Sequence, residues 1–391
     1  MGLIGSISSV WAQDSSRLTL QVDNLHFFVD NEYAASRVDG YTLPGFVMRP
    51  RIVWQMEPRV KVEGGVHWLH YWGAHTYPAN RSLGAWNAAS DTSTRAHVLP
   101  WLQARVDFTP WLSLVMGSLD NNQCHHLPLP LYNPELQYAA DPEAGVQLLV
   151  DHTAVQADVW VDWREFIWNH SPTQEQITAG LSARGRLHND SGWELYLPVH
   201  IVAQHTGGEA VVDTQAVMHT HMNVAGGVGA EYHGGKLRIA AEVYGAGYLN
   251  PDGEEWSVVR DSLGWWNEKP RDFRFGWGVF PTVKMSYGGF SLDASYWVGE
   301  KFVPILGCYH FSNRSSNTSD MVHNRIRVLS LRGRYAWRQF RQCTLALEGS
   351  YYHYFPFTAD RTNYLKVNSV ASDLFSFGLF LHLHPTFSLQ R

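Results

Sequence analysis

The stretch Arg59 to Trp72 reads R-V-K-V-E-G-G-V-H-W-L-H-Y-W, and its residues sort by parity. Val60, Val62, Val66, Trp68 and Trp72 fall on one side with Gly64 and His70; Lys61, Glu63, Gly65 and His67 fall on the other. Successive strand side chains alternate between faces, so this segment has one apolar and one polar face. The same split recurs along the chain, in Val155 to Trp163, Ile177 to Leu187, Trp193 to Ala203 and Phe275 to Tyr287 among others. A soluble sandwich also buries apolar faces, between two sheets. These segments, however, run past the usual ~5–6 residues toward the ~9–11 that a tilted strand needs to cross a bilayer. Their apolar faces also carry Trp, Tyr and Phe near the ends. The reading is all-β: a single antiparallel transmembrane β-barrel of about 16 strands (14–18), in the cell outer membrane of a Gram-negative bacterium.

Composition agrees. The 391 residues include 17 Trp, 18 Tyr and 18 Phe but only 17% charged residues, which suits aromatic girdles at two membrane interfaces. No apolar run approaches the ~20 residues of a spanning helix. A net charge of -6 gives no basic footprint for nucleic acid. Cys124, Cys308 and Cys343 are odd in number and lack CxxC spacing, so neither a disulfide framework nor a metal site is expected. Leu3 to Trp11 is a short apolar stretch, and Val10-Trp11-Ala12 resembles a signal-peptidase site without a basic region ahead of it. Residues 1–12 are therefore expected to be a signal peptide, either truncated at its start or a hydrophobic leader of another kind, and 13–391 one barrel domain.

Sixteen segments alternate in character, an even number as closure demands. The first, Arg17 to Val29, changes parity near Asn24, which predicts a bulge there. Short turns such as Glu57-Pro58, Thr109-Pro110 and Gly288-Gly289 alternate with long polar connections. These read as periplasmic turns and extracellular loops. One loop, Leu119 to Pro142, carries Pro128, Pro130, Pro134 and Pro142 and cannot extend as a strand pair; it is expected to fold inward over the lumen.

The polar parity predicts the lumen lining: Arg49, Arg51, Lys61, Glu63, Arg105, Asp107, Asp158, Asp162, Arg164, Arg184, Arg186, Glu194, Arg274 and Lys284. Such residues either line water or fill the barrel with ion pairs, and barrels of about 16–18 strands usually keep an aqueous channel. His219/His221 and His382/His384 share strand faces but lack a third ligand at informative spacing, so no metal or other cofactor is expected. Asp158, Asp162 and His200 are a faint suggestion of catalytic neighbours across the wall. No catalytic residue is assigned, and the expectation is that the chain is not an enzyme.

Several segments resemble outer-membrane barrel proteins of the Bacteroidetes. They are F-F-x-x-N-E-Y (Phe27 to Tyr33), G-Y-T-L-P-G-F (Gly40 to Phe46), G-V-H-W-L-H-Y-W-G (Gly65 to Gly73), D-V-W-V-D-W-R-E-F-I (Asp158 to Ile167), Q-E-Q-I-T-A-G (Gln174 to Gly180) and L-P-V-H-I-V-A-Q-H-T-G-G (Leu197 to Gly208). The resemblance implies barrel and location, and transfers neither substrate nor catalytic residue. The function expected first is a porin-like channel for small hydrophilic solutes. The alternatives are a non-conducting accessory barrel of an export or assembly complex, and a barrel enzyme acting on lipid. Expected partners are outer-membrane lipid and lipopolysaccharide, with a small solute or outer-membrane proteins beside them.

Overall fold

The computed structural model describes residues 17–33, 37–73, 96–121, 123–166, 174–207, 218–251, 253, 256–260, 266–270, 273–316, 321–361 and 366–389. The expected signal peptide lies outside them. Sixteen antiparallel strands close into one barrel. They are β1 (Arg17–Glu32), β2 (Tyr41–Glu57), β3 (Val60–Tyr71), β4 (Ala96–Thr109), β5 (Leu112–Ser118), β6 (Ala144–Asp151), β7 (Val155–Glu165) and β8 (Gln176–Asp190), followed by β9 (Trp193–Thr206), β10 (His219–Gly234), β11 (Leu237–Leu249), β12 (Phe275–Tyr287), β13 (Phe290–Glu300), β14 (Arg325–Phe340), β15 (Cys343–Tyr354) and β16 (Ser372–Leu383). Each pairs with the next, and β1 pairs with β16 to close the ring. The strand expected to continue from Leu374 to Leu389 breaks at Pro385, beyond which Thr386–Ser388 resumes pairing with β1.

Alternation places the apolar parity outside. Val159, Leu197, Val199, Val279 and Val283 are 40–50% exposed in mid-strand, while Trp54, Trp111, Trp193 and Tyr287 stand near the short turns and Trp72, Trp163 and Phe275 near the long loops. This is a hydrocarbon band between two aromatic girdles, and the protein is an outer-membrane barrel. The bulge expected at Asn24 is not there: β1 pairs with β2 without interruption from Arg17↔Gln55 to Asn31↔Tyr41. The parity change has another cause. Phe27 and Val29 point inward and are apolar because they meet protein inside the barrel; the Phe27 ring lies 4.9 Å from that of Tyr138.

That interior protein comes from two loops. Residues 119–143, between β5 and β6, and 301–316, after β13, both turn into the lumen. Asn133 N–H donates to Leu306 O (2.7 Å) and Cys308 N–H to Leu129 O (3.0 Å), so the two loops pair directly. Leu131, Tyr132, Phe302, Leu306 and Phe311 are at most 2% exposed. A fully buried Leu or Phe side chain contributes roughly 1.5–3 kcal/mol, enough to hold the loops without regular structure. The wall anchors the first loop as well: Tyr41 Oη donates to Glu135 (2.7 Å) and Tyr71 Oη to Ala139 O (3.2 Å). The inward fold expected of Leu119 to Pro142 is observed, with apolar residues of the two loops packed and buried against each other.

The first loop is fixed at its tip by His125. Cys124, His125 and His126 all have left-handed φ, at 53°, 50° and 56°, a conformation costing an L-residue about 1–2 kcal/mol each. His125 offsets that cost. Its Nδ1 lies 2.8 Å from Asp158 Oδ2, its Nε2 2.5 Å from Glu143 Oε2, and its ring stacks 3.8 Å from Trp160. Gly180 lets the Trp160 indole lie flat against the wall, since a Cβ there would come within 2.1 Å of it. Burial alone would depress the imidazole, but Glu143 and Asp158 more than offset it and push His125 up to about 9.

Two outcomes follow. Val159→Arg or Leu197→Arg sets a cation in hydrocarbon at a cost of about 2–4 kcal/mol, and should abolish the heat-modifiable folded band in outer-membrane fractions, whereas Asp107→Ala should not. The folded-state value of His125 lies above the ordinary ~6.5, so its stabilisation is complete below that and lost as pH rises through about 9. Proteinase K should therefore begin to cut within 119–143 above that pH, while His125→Gln should be cut there already at neutral pH. Equal resistance of both proteins at both pH values would show that His125 does not seat the loop.

Candidate active site

The two inward loops leave two chambers, both reaching the halves of the strands nearest the short turns. The larger is about 670 Å³ and is bordered by Asp23, Arg49, Lys61, Glu135, Arg332 and Glu348, among others. The smaller, about 400 Å³, lies beneath the strained turn and is bordered by Cys124, His126, Ser182, Tyr196, His200, Glu242 and Lys284. Pro134 borders both, so the loop is the partition between them.

Ser182 and His200 face the smaller chamber from directly paired positions on β8 and β9. Ser182 Oγ lies 3.0 Å from His200 Nδ1, and the two residues are only 4% and 3% exposed. The other imidazole nitrogen, Nε2, is buried without a protein partner. A hydroxyl on one ring nitrogen and an orphaned second nitrogen beside a cavity is the disposition of a nucleophile and its base. Beside them, Glu242 accepts from Tyr196 Oη (2.8 Å) and pairs with Lys284 (2.9 Å), and the His200 and Tyr244 rings lie 5.6 Å apart. Among the described residues no carboxylate bonds His200, with Glu242 the acidic neighbour, so the constellation is a dyad within a charged chamber.

Most lumen residues read from the sequence meet partners of opposite charge. Glu63 takes Arg51 (3.1 Å) and Lys61 (2.9 Å), and Arg105 takes Asp107 (2.9 Å). Arg49 donates to His67 and to Gln137 O, with Asp23 at 3.8 Å. Asp162 takes Arg164 (3.0 Å); Arg184 takes Glu194 (2.7 Å) and Glu231 (2.8 Å) while its guanidinium stacks on Tyr196; Arg186 donates to His152 O. Arg274 stands apart: it precedes β12, is exposed, and contacts Pro251 O. Asp158, Asp162 and His200 are not one site. Asp158 is held by His125 and Gln147, Asp162 by Arg164, and only His200 faces a hydroxyl. Ser182 went unnoticed because its partner is 18 residues away and only the β8–β9 register joins them. His382 bonds Asp23 rather than His384, and the described residues contain no group of three His, Cys, Asp or Glu that could hold a metal.

Comparison with solved structures returns outer-membrane barrels at low identity. A loop L8 deletion mutant of OmpT, an outer membrane protein of Vibrio cholerae, has 10% identity and a TM-score of 0.49, covering 95% of this chain and 100% of that one. OccK8 (OprE) of Pseudomonas aeruginosa has 10% identity and a TM-score of 0.49, covering 96% and 99%. OccAB4 of Acinetobacter baumannii has 9% and 0.47, covering 95% and 98%. No curated protein matches. A family model, lipid A 3'-O-deacylase-type, matches residues 10–391. That family is named for an enzyme, which overturns the expectation that the chain is not one; parity and composition report on the wall and carry no sign of a catalytic pair. With nearly its whole length matched, the chain belongs to the lipid A 3'-O-deacylase-type family.

Proposed function

We propose that this barrel hydrolyses an acyl ester of lipid A or a closely related phosphorylated, acylated glycolipid of the outer leaflet. The family match over residues 10–391 carries the reading, and the Ser182–His200 pair supports it with a means. Ser182 Oγ attacks the ester carbonyl carbon while its proton passes to His200 Nδ1; His200 then returns the proton to the departing sugar hydroxyl. Water, deprotonated in turn by His200, cleaves the acyl-serine and releases a fatty acid. Lys284, on the chamber wall, supplies positive charge toward an oxyanion or a phosphate. Against the porin reading stand the buried apolar residues that fill the middle of the lumen.

The test is fatty-acid release from lipid A by purified, folded protein. Ser182→Ala should lower the rate by at least 100-fold, and His200→Gln comparably, with heat-modifiable folding retained. Release unchanged in Ser182→Ala would remove Ser182 as the nucleophile; no release by the wild-type protein would remove the hydrolase reading itself.

A further inference from the structure

The barrel wall is not of even height. β5 has 7 residues and β6 has 8, whereas their neighbours β4 and β7 have 14 and 11. Pairing between β4 and β5 starts only at Gln103↔Gly117, so Ala96 to Leu102 have no strand beside them on that side among the described residues. Pairing between β6 and β7 ends at Gly145↔Asp162, below Trp163 to Glu165. The missing ends are those toward the long loops. Among the described residues the wall therefore has a notch in its outer-leaflet half, along roughly 20 Å of β4 edge.

The notch is finished at its base as a built edge. Ser118 Oγ accepts from Leu102 N–H (3.3 Å), and Asp162 Oδ1 accepts from Ala144 N–H (2.8 Å). Gly117, with φ +92°, brings its backbone so close to Leu102 O that a Cβ would lie 2.1 Å from it. Behind the notch is the larger chamber, whose lining includes Trp101, Leu119, Asp141, Pro142, Glu143 and Arg164. His97, on the free part of β4, meets Asp141 at 2.6 Å and ties the end of the inward loop to the rim. On the far side of the same chamber stands Arg332 of β14. Its neighbour Arg334 takes Glu348 (2.8 Å), and among the described residues Arg332 has no ion pair within 4 Å. Arg332 feels Glu348 and Asp293 without a close ion pair to either, so its planar fork of N–H donors can also take a phosphate.

We infer that the notch admits an anionic lipid headgroup sideways from the outer leaflet into the larger chamber, where Arg332 receives a phosphate while the acyl chains remain toward the bilayer. The inference rests on the lipid reading above and assigns its substrate a route and a seat. Opening the wall in this half meets lipid of the outer leaflet rather than solvent. The polar chamber suits the phosphorylated sugar, not the chains. Because the loop partitions the two chambers, a headgroup held in one lies next to the chamber containing Ser182 and His200.

The route is read by photocrosslinking in cells, with p-benzoylphenylalanine placed at Asp141, at lipid-facing Leu102 and at Asp107 near the short turns. Asp141 should yield a lipopolysaccharide adduct as Leu102 does, and Asp107 should not; an Asp141 position that behaves like Asp107 overturns the route. The seat is read by binding of folded protein to phosphatidylcholine vesicles doped with lipid A or with dephosphorylated lipid A. Arg332→Gln should weaken binding to the phosphorylated form about ten-fold or more, leave the dephosphorylated form unchanged, and be largely rescued by Arg332→Lys. Equal effects on both lipids, or inorganic phosphate competing as well as lipid A does, overturn the seat. Adducts and a phosphate-dependent Arg332 effect in a protein that releases no fatty acid would uphold this inference while the hydrolase reading falls.

Discussion

Everything in this molecule answers to one constraint: in hydrocarbon a backbone N–H or C=O without a partner costs several kcal/mol, so a sheet in a membrane must close on itself. The β1–β16 pairing, continued past Pro385 by Thr386–Ser388, meets that constraint at the seam of the chain. The same constraint explains why the shortened β5–β6 hairpin does not end in bare backbone. Where the ladder stops, Ser118 and Asp162 take over as acceptors for the first N–H groups of the free edges. Edge strands in soluble proteins are protected against other chains. Here the foot of the edge is protected by those side-chain acceptors, at Leu102 and at Ala144, where the ladder stops.

The interior solves a second problem, that of charges taken out of bulk water. Each carboxylate of the His125 cluster is shared: Glu143 with His125 and Tyr132, Asp158 with His125 and Gln147, Asp162 with Arg164 and a backbone N–H. Removing one member of such a set leaves a buried charge without compensation, which costs far more than the pair contributes when intact. Asp162, legible in the sequence as one more lumen residue, is thus part of the frame. Arg332 and the His200 Nε2 atom are the contrasting cases. Arg332 makes no ion pair within 4 Å among the described residues, and the His200 Nε2 atom is one of several buried side-chain atoms without a protein partner, one that borders the smaller chamber beside Ser182.

The fold was legible because the bilayer imposes period two on every strand, and parity survives in a single sequence. Val155 to Trp163 and Trp193 to Ala203 read correctly for that reason, and the prolines of Leu119 to Pro142 announced an inward loop. The misread feature, Asn24, shows the limit of parity: it registers apolar against polar, not lipid against protein. Phe27 and Val29 looked shifted in face when they only changed neighbour, from water to the inward loop. The candidate site was invisible for another reason. Ser182 and His200 each read as ordinary polar-parity residues, and their contact exists only through strand register. The notch is likewise a difference of lengths between neighbouring strands, which no single segment displays.

Filling the barrel bears on chemistry as well as on permeation. A lumen of this strand number left open would hold continuous water, in which a serine–imidazole pair gains little from its surroundings. The two inward loops divide that space into chambers of a size to hold part of one lipid. The first of these loops borders the smaller chamber, where Ser182 and His200 are almost completely buried; for the hydrolysis proposed above, charge on an attacked carbonyl would meet fixed dipoles and Lys284 instead of bulk solvent. The strained turn at Cys124 to His126 serves both ends of this arrangement. Its central residue is spent on Glu143 and Asp158 to hold the loop down, and the two that flank it face the chamber. Seating of the loop and shaping of the chamber that Ser182 and His200 face thus depend on the same turn.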